Sequence, residues 1–247
     1  MEDFNSLQCE HCAQPGKAGN KFCPGCGSPQ VQQEISAAHK WSNIQGMALF
    51  FAVELIICLS ALIIKKSSLA TEIFFQGLLA FSAIAFFLSD WKDNKSLLKW
   101  SSFSLKKIIV IVLLTTLSAV IVHFLVELLN DELFNQRQSY YSPYSSYKYS
   151  KFLMIFFMAI CPAIFEELAY RGYLLGKLLK VVDRNEAIYI SSALFFLIHF
   201  SFFSFFWLLP FAMILAFLRI KENTLWYGII IHFTFNLTAC LVELFFL

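Results

Sequence analysis

The sequence predicts an all-α polytopic membrane protein of about seven transmembrane helices, preceded by a small cysteine-rich module. Three observations predict it. Of the 247 residues, 58% are hydrophobic and only 15% are charged, whereas a soluble domain carries about 25% charged residues. The apolar residues gather into seven runs, at 46–64, 70–89, 106–129, 151–170, 186–205, 207–220 and 224–246. Most approach the roughly 20 residues that cross a bilayer as a helix; the sixth is the shortest. Finally, four of the seven cysteines lie in the polar N-terminal stretch, in two C-x-x-C pairs.

The first element is residues 1–30. Cys9 and Cys12 form one pair, and Cys23 and Cys26, flanking Pro24-Gly25, form the other. Each pair turns two thiolates towards one ion, and two pairs complete a tetrahedral sulfur site suited to structural zinc. Iron fits the same spacing. About thirty residues bury too little core to fold alone, so the module is expected to fold with its metal. It resembles the short zinc ribbons at the ends of many prokaryotic membrane proteins, and its expected roles are structural and partner-binding. His11, inside the first pair, reads as a bystander. Residues 1–45 are polar, open with Glu2 and Asp3, and lack the apolar core of a secretory signal.

Residues 31–45 read as a linker, or as a helix lying at the membrane surface, and 46–247 as the transmembrane domain. Cys58, Cys161 and Cys240 fall inside apolar runs, where cysteine acts as a small buried hydrophobe. Lysine and arginine set the orientation. With the N-terminus cytoplasmic, the inner connections hold Lys92, Lys95, Lys99, Lys106, Lys107, Lys177, Lys180, Arg184, Arg219 and Lys221. The outer ones hold only Lys65, Lys66, Arg137, Lys148 and Lys151. The tyrosine-rich stretch 138–150 is then external and reads as an interfacial aromatic belt. A net charge of +2 without a basic block gives no reason to expect a nucleic-acid partner.

Ionisable side chains inside apolar runs are costly, so each is a functional candidate. Three groups stand out: Glu166-Glu167-Leu168-Ala169-Tyr170-Arg171 in the fourth run, Phe195 to His199 in the fifth, and His232 to Asn236 in the seventh. Glu167 and Arg171 are four apart, share a helix face and can pair. Glu166, rotated by about 100°, has no basic residue at that spacing and is free to act as a base. Pro162 removes one helical hydrogen bond just before it. His232 and Asn236 share a face of the seventh helix. A carboxylate and an imidazole can deprotonate water; a second imidazole and a carboxamide can donate to an oxyanion. Glu54, Glu72 and Glu243 read as interior or snorkelling residues, and His123 with Glu127 as a hydrogen-bonded pair.

The stretches EELAYRG, SALFFLIH and IIIHFTFN resemble the EExxxR, FxxxH and HxxxN motifs of the CPBP family. Its members are intramembrane proteases related to the CAAX prenyl endopeptidase, bacteriocin-processing enzymes and abortive-infection proteins. The likeness covers about residues 150–240. It implies that Glu166 and His199 activate water, that His232 and Asn236 stabilise the oxyanion, and that Glu167 and Arg171 support them. A metal-dependent version of this reading would place zinc on the same Glu and His residues. The implied substrate is a peptide or membrane protein at a bacterial plasma membrane, cleaved near the cytoplasmic face. The competing expectation is a non-catalytic immunity, scaffold or sensor protein whose ribbon recruits a partner. A transporter would show paired half-repeats, which the sequence lacks.

The runs as drawn leave a mismatch: Glu166 falls near the cytoplasmic end of its run, while His199 lies about 20 Å from the start of its own.

Elemental analysis of the purified protein should find one zinc per chain, and Cys9→Ser should release it. Metal-free protein with four titratable thiols in residues 1–30 would remove the ribbon.

Overall fold

The computed structural model describes residues 7–8, 15–16, 37–64, 68–100, 103–134, 139–201 and 204–246. The chain divides into two compact units, Met1–Ser42 and Asn43–Leu247. In the first, Leu7–Gln8 pairs antiparallel with Pro15–Gly16, Leu7 opposite Gly16 and Gln8 opposite Pro15. Cys9, Cys12, Cys23 and Cys26 lie outside the described residues.

Each of the seven apolar runs forms a helix. These are α1 (Ala37–Ile63), α2 (Leu69–Ser89), α3 (Leu105–Phe134), α4 (Ser150–Leu178), α5 (Arg184–Leu197), α6 (Phe205–Glu222) and α7 (Trp226–Phe246). Residues 37–45, expected in the linker, are the opening turns of α1. Among the described residues, α1, α2, the Leu105–Asn130 part of α3, α4 and α7 are long and apolar enough to cross a membrane. The expected seven spans therefore resolve into five helices of spanning length and one shorter pair. With 14 residues, α5 rises about 21 Å, short of the roughly 30 Å hydrocarbon core. It packs against α6, whose last turn carries Arg219 and Lys221.

Sequence explains each helix face. On α1 the buried residues are Asn43, Phe50 and Glu54, spaced as one stripe of a 3.6-residue helix. Phe50 inserts among Phe86, Tyr170 and Tyr173 at ring separations of 5.3 to 5.5 Å, the range of favourable aromatic pairs. Ser68 caps α2 by accepting from the Thr71 amide at 3.2 Å. The outer face of α3 shows Leu113, Leu117 and Ile121, as a lipid-facing helix should. α4 is not a regular α-helix: Phe156–Ile160 and Glu167–Leu174 are π-helical. The first π stretch precedes Pro162, which has no N–H to give to the preceding turn, so the ladder is widened where it would otherwise break.

Two ends of the membrane unit differ in chemistry. At the basic end, Lys177 pairs with Asp90 at 2.7 Å, Lys180 pairs with Asp93, and Lys107 pairs with Glu222 at 2.8 Å. The Trp226 indole donates to Leu98 O at 2.8 Å, and the Leu225 amide to Leu97 O at 3.0 Å, so the 91–98 turns are fastened under α7. At the tyrosine end, the Glu243 carboxylate accepts from Ser139 Oγ at 2.6 Å, from the Tyr140 amide at 2.9 Å and from the Tyr141 amide at 3.1 Å. Burial and the adjacent Glu243 charge push the Tyr140 hydroxyl above its ordinary pKa.

The contact of α4 with α2 depends on Gly172, where an added Cβ would lie 2.6 Å from the Phe87 ring. Gly172→Ala should lower stability by about 1–3 kcal/mol through overpacking, read as a lower Tm in detergent. Gly77→Ala, with nothing within 4 Å of its added carbon, should leave Tm unchanged or raise it slightly.

Candidate active site

The site begins with one buried carboxylate. Glu167 is 0% exposed, and its Oε1 lies 3.1 Å from Arg171 Nη1, one helical turn on. The same oxygen is 3.1 Å from His232 Nδ1 on α7. Arg171 Nη2 donates to the Ala212 carbonyl of α6 at 3.2 Å, and its guanidinium lies 4.3 Å from the centre of the Phe195 ring on α5. Glu167 and Arg171 thus tie α4 to α5, α6 and α7. The α7 backbone comes close enough because residue 228 is glycine: a Cβ there would stand 2.7 Å from Glu167 Oε2.

Glu166, next along the helix, faces elsewhere. Its side chain is 28% exposed and lines a cavity of about 380 Å³ together with His199, His232 and Asn236. Glu166 Oε2 is buried and hydrogen-bonds to no protein group; it stands 3.7 Å from His232 Nε2. Two ring tautomers follow from the partners. His199 Nδ1 is 2.8 Å from the Phe195 carbonyl, which can only accept, so Nδ1 carries the hydrogen and Nε2 of the neutral ring keeps its lone pair. The same reasoning puts a hydrogen on His232 Nδ1, against Glu167.

The helix limits remove the mismatch between Glu166 and His199. α4 runs on to Leu178, so Glu166 lies 178 − 166 = 12 residues from the basic end, or roughly 15–18 Å. His199 lies 199 − 184 = 15 residues from the start of α5, about 22 Å. Asn236 is 236 − 226 = 10 residues into α7, about 15 Å. All three sit at comparable depth. The cavity lies in the middle and tyrosine-end part of the unit.

Several lining residues escaped sequence reasoning. Phe195, present only as the aromatic of a motif, packs its ring against His199 at 4.8 Å and Tyr170 at 5.1 Å. Trp207 stacks on Phe235 at 5.4 Å and forms part of the cavity wall, as do Gln76 and Tyr140. Gln76 was findable as a polar residue in mid-run; Tyr140, in a loop read as an aromatic belt, was not. A second, smaller cavity of about 30 Å³ touches Glu166, Gln76 and Glu54. Glu54 is 4% exposed and accepts a 2.7 Å bond from Ser82.

Glu166, His199 and His232 do not form a cluster with metal-ligand spacing among the described residues, so no step through a metal is derived there.

Residues 148–238 match the family model for the type II CAAX prenyl endopeptidase Rce1-like proteins. The matched stretch contains Glu166, Glu167, Arg171, His199, His232 and Asn236, and it supports the resemblance drawn from the three motifs. Over that stretch the chain is similar to a CAAX-type intramembrane protease. No curated protein and no solved structure matches the chain.

Glu167→Gln leaves the Arg171 guanidinium buried without its counter-charge, a change expected to cost about 3–5 kcal/mol. Tm should fall well below that of Glu166→Gln, whose parent carboxylate is part-exposed and has no basic partner on its helix. Equal Tm values for the two variants would break this division of labour.

Proposed function

We propose that the protein is an intramembrane endopeptidase that hydrolyses a peptide bond with a directly activated water. The observation that carries the reading is the convergence of Glu166, His199, His232 and Asn236 on one cavity. In this reading the Glu166 carboxylate and the His199 Nε2 lone pair hold the water and take its proton as it attacks the carbonyl carbon. The Asn236 carboxamide and His232 Nε2–H then donate to the developing oxyanion. For Nε2 to donate while Nδ1–H faces Glu167, the His232 ring carries both hydrogens in this step. The proton held by Glu166 passes to the leaving amine, which departs neutral.

Glu167, Arg171 and Phe195 are positioning residues, because they hold His232 and His199 rather than touch substrate. The ribbon at Cys9, Cys12, Cys23 and Cys26 would hold a structural zinc and address a protein partner, outside the chemistry. The substrate is a peptide or membrane protein of a bacterial plasma membrane, and the N-terminus is cytoplasmic.

Cleavage of a fluorogenic peptide panel by the purified, reconstituted protein tests the reading. Glu166→Gln should slow turnover by a factor on the order of 100 or more. Asn236→Ala should raise the barrier by about 3 kcal/mol with KM nearly unchanged. Full activity in Glu166→Gln would sink the assignment.

A further inference from the structure

The direction from which the cavity is reached is written in its walls. Its lining comes from the tyrosine-end parts of the helices: Gln76 on α2, Phe157 and Pro162 on α4, Ala239 on α7, with Tyr140 and Ser201 from connections. Towards the basic end the described residues are closely packed. Tyr170, Arg171, Leu174, Ala212, Leu215 and Tyr227 close that side, each at 3% exposure or less. Exposure rises the other way, from His232 at 4% through Glu166 to His199 and Ser201, which are exposed. At this side α5 stops at Leu197 and Phe200 follows at φ 48°, a left-handed conformation that costs a bulky residue roughly 1–2 kcal/mol.

The connections at the closed end hold Lys92, Lys95, Lys99, Lys180, Arg184 and Lys221 among their cations, and the open end holds fewer. The excess of lysine and arginine marks the cytoplasmic side. A polar side groove with His123, Glu127 and Asn130, of about 70 Å³, shares Tyr140, Trp207, Phe235 and Ala239 with the main cavity. It therefore lies on the open side too, and gives a polar resting place beside the mouth.

We propose that the cavity is reached from the extracytoplasmic face, and that its substrate is a peptide segment presented there: an exported peptide, or the extracytoplasmic flank of a membrane protein. Only the cleavage of that segment rests on the hydrolytic reading; the direction of access does not.

The experiment needs no turnover. In protein with Cys58, Cys161 and Cys240 replaced by alanine, Ser201→Cys reports the mouth and Lys95→Cys the basic end, each read on its own peptide by mass spectrometry because Cys9, Cys12, Cys23 and Cys26 remain. Both positions are exposed, neither carries a role in the hydrolytic step, and Tyr140→Cys is a second mouth reporter should Ser201→Cys express poorly. A membrane-impermeant maleimide added to intact bacterial cells should label Ser201→Cys and not Lys95→Cys. Inside-out vesicles should give the reverse. Labelling of both positions from one face would mean that the cavity reaches the basic end, and would overturn the proposal. So would Ser201→Cys labelled only in inside-out vesicles, or labelled from neither face while reacting fully in SDS. A cell-side result as expected, with Glu166→Gln still fully active, would leave the access route standing and remove the protease reading alone.

Discussion

A carboxylate with no exposed surface must be met by opposite charge or by donors, and at Glu167 these come from two helices. Arg171 on the same helix and His232 on α7 both reach Glu167 Oε1 at 3.1 Å, and the guanidinium passes on to α6 and α5 through Ala212 and Phe195. In lipid there is no water to substitute for a lost partner, so the cost of parting these groups fixes how α4, α5, α6 and α7 meet. The aromatic packing of α1 and α2 against Tyr170 and Tyr173 then has a fixed surface to close on. Orientation of the His232 ring, and with it the geometry beside Glu166, follows from the same contact.

Two adjacent glutamates end in opposite environments for a simple reason. Consecutive helical residues diverge by about 100°, so one can face the helix junction while the other faces the cavity. The π-helical turns sharpen the separation. They start at Glu167 itself and widen the helix just where Arg171 and Gly172 must fit between α6 and Phe87. Glu166 belongs to the preceding α-helical stretch, so the switch in helix type falls between the two carboxylates.

Much of this was legible in the sequence. All seven apolar runs form helices, and the spacing of Glu167 with Arg171 and of His232 with Asn236 was enough to assign faces. Apolar length alone did not reveal that the fifth run stops at Leu197. Nothing in Phe196–Phe200 breaks a helix by propensity, yet the helix stops at Leu197 and Phe200 is left-handed. The fourth run was drawn too short because Arg171, Lys177 and Tyr173 look like a polar exit, whereas Arg171 is buried in its pair and Lys177 reaches Asp90. The mismatch between Glu166 and His199 came from the limit of the fourth run, since α4 runs on to Leu178. Tyr140 entered the wall because Glu243 clamps the backbone of its loop, a contact across 243 − 140 = 103 residues that no local pattern announces.

The short α5 has a meaning for the surrounding lipid. A helix of about 21 Å in a slab of roughly 30 Å leaves around a third of the depth filled by other means. Here His199 and Ser201 occupy that level, and acyl chains cannot solvate them. A polar level of this kind is met by water rather than by acyl chains. A membrane helix drifting up to that level would find hydration for its backbone amides partway down its length. Its internal hydrogen bonds would be cheapest to open there, next to Glu166. The fold thus supplies a place where lipid solvation fails, beside a carboxylate and two imidazoles.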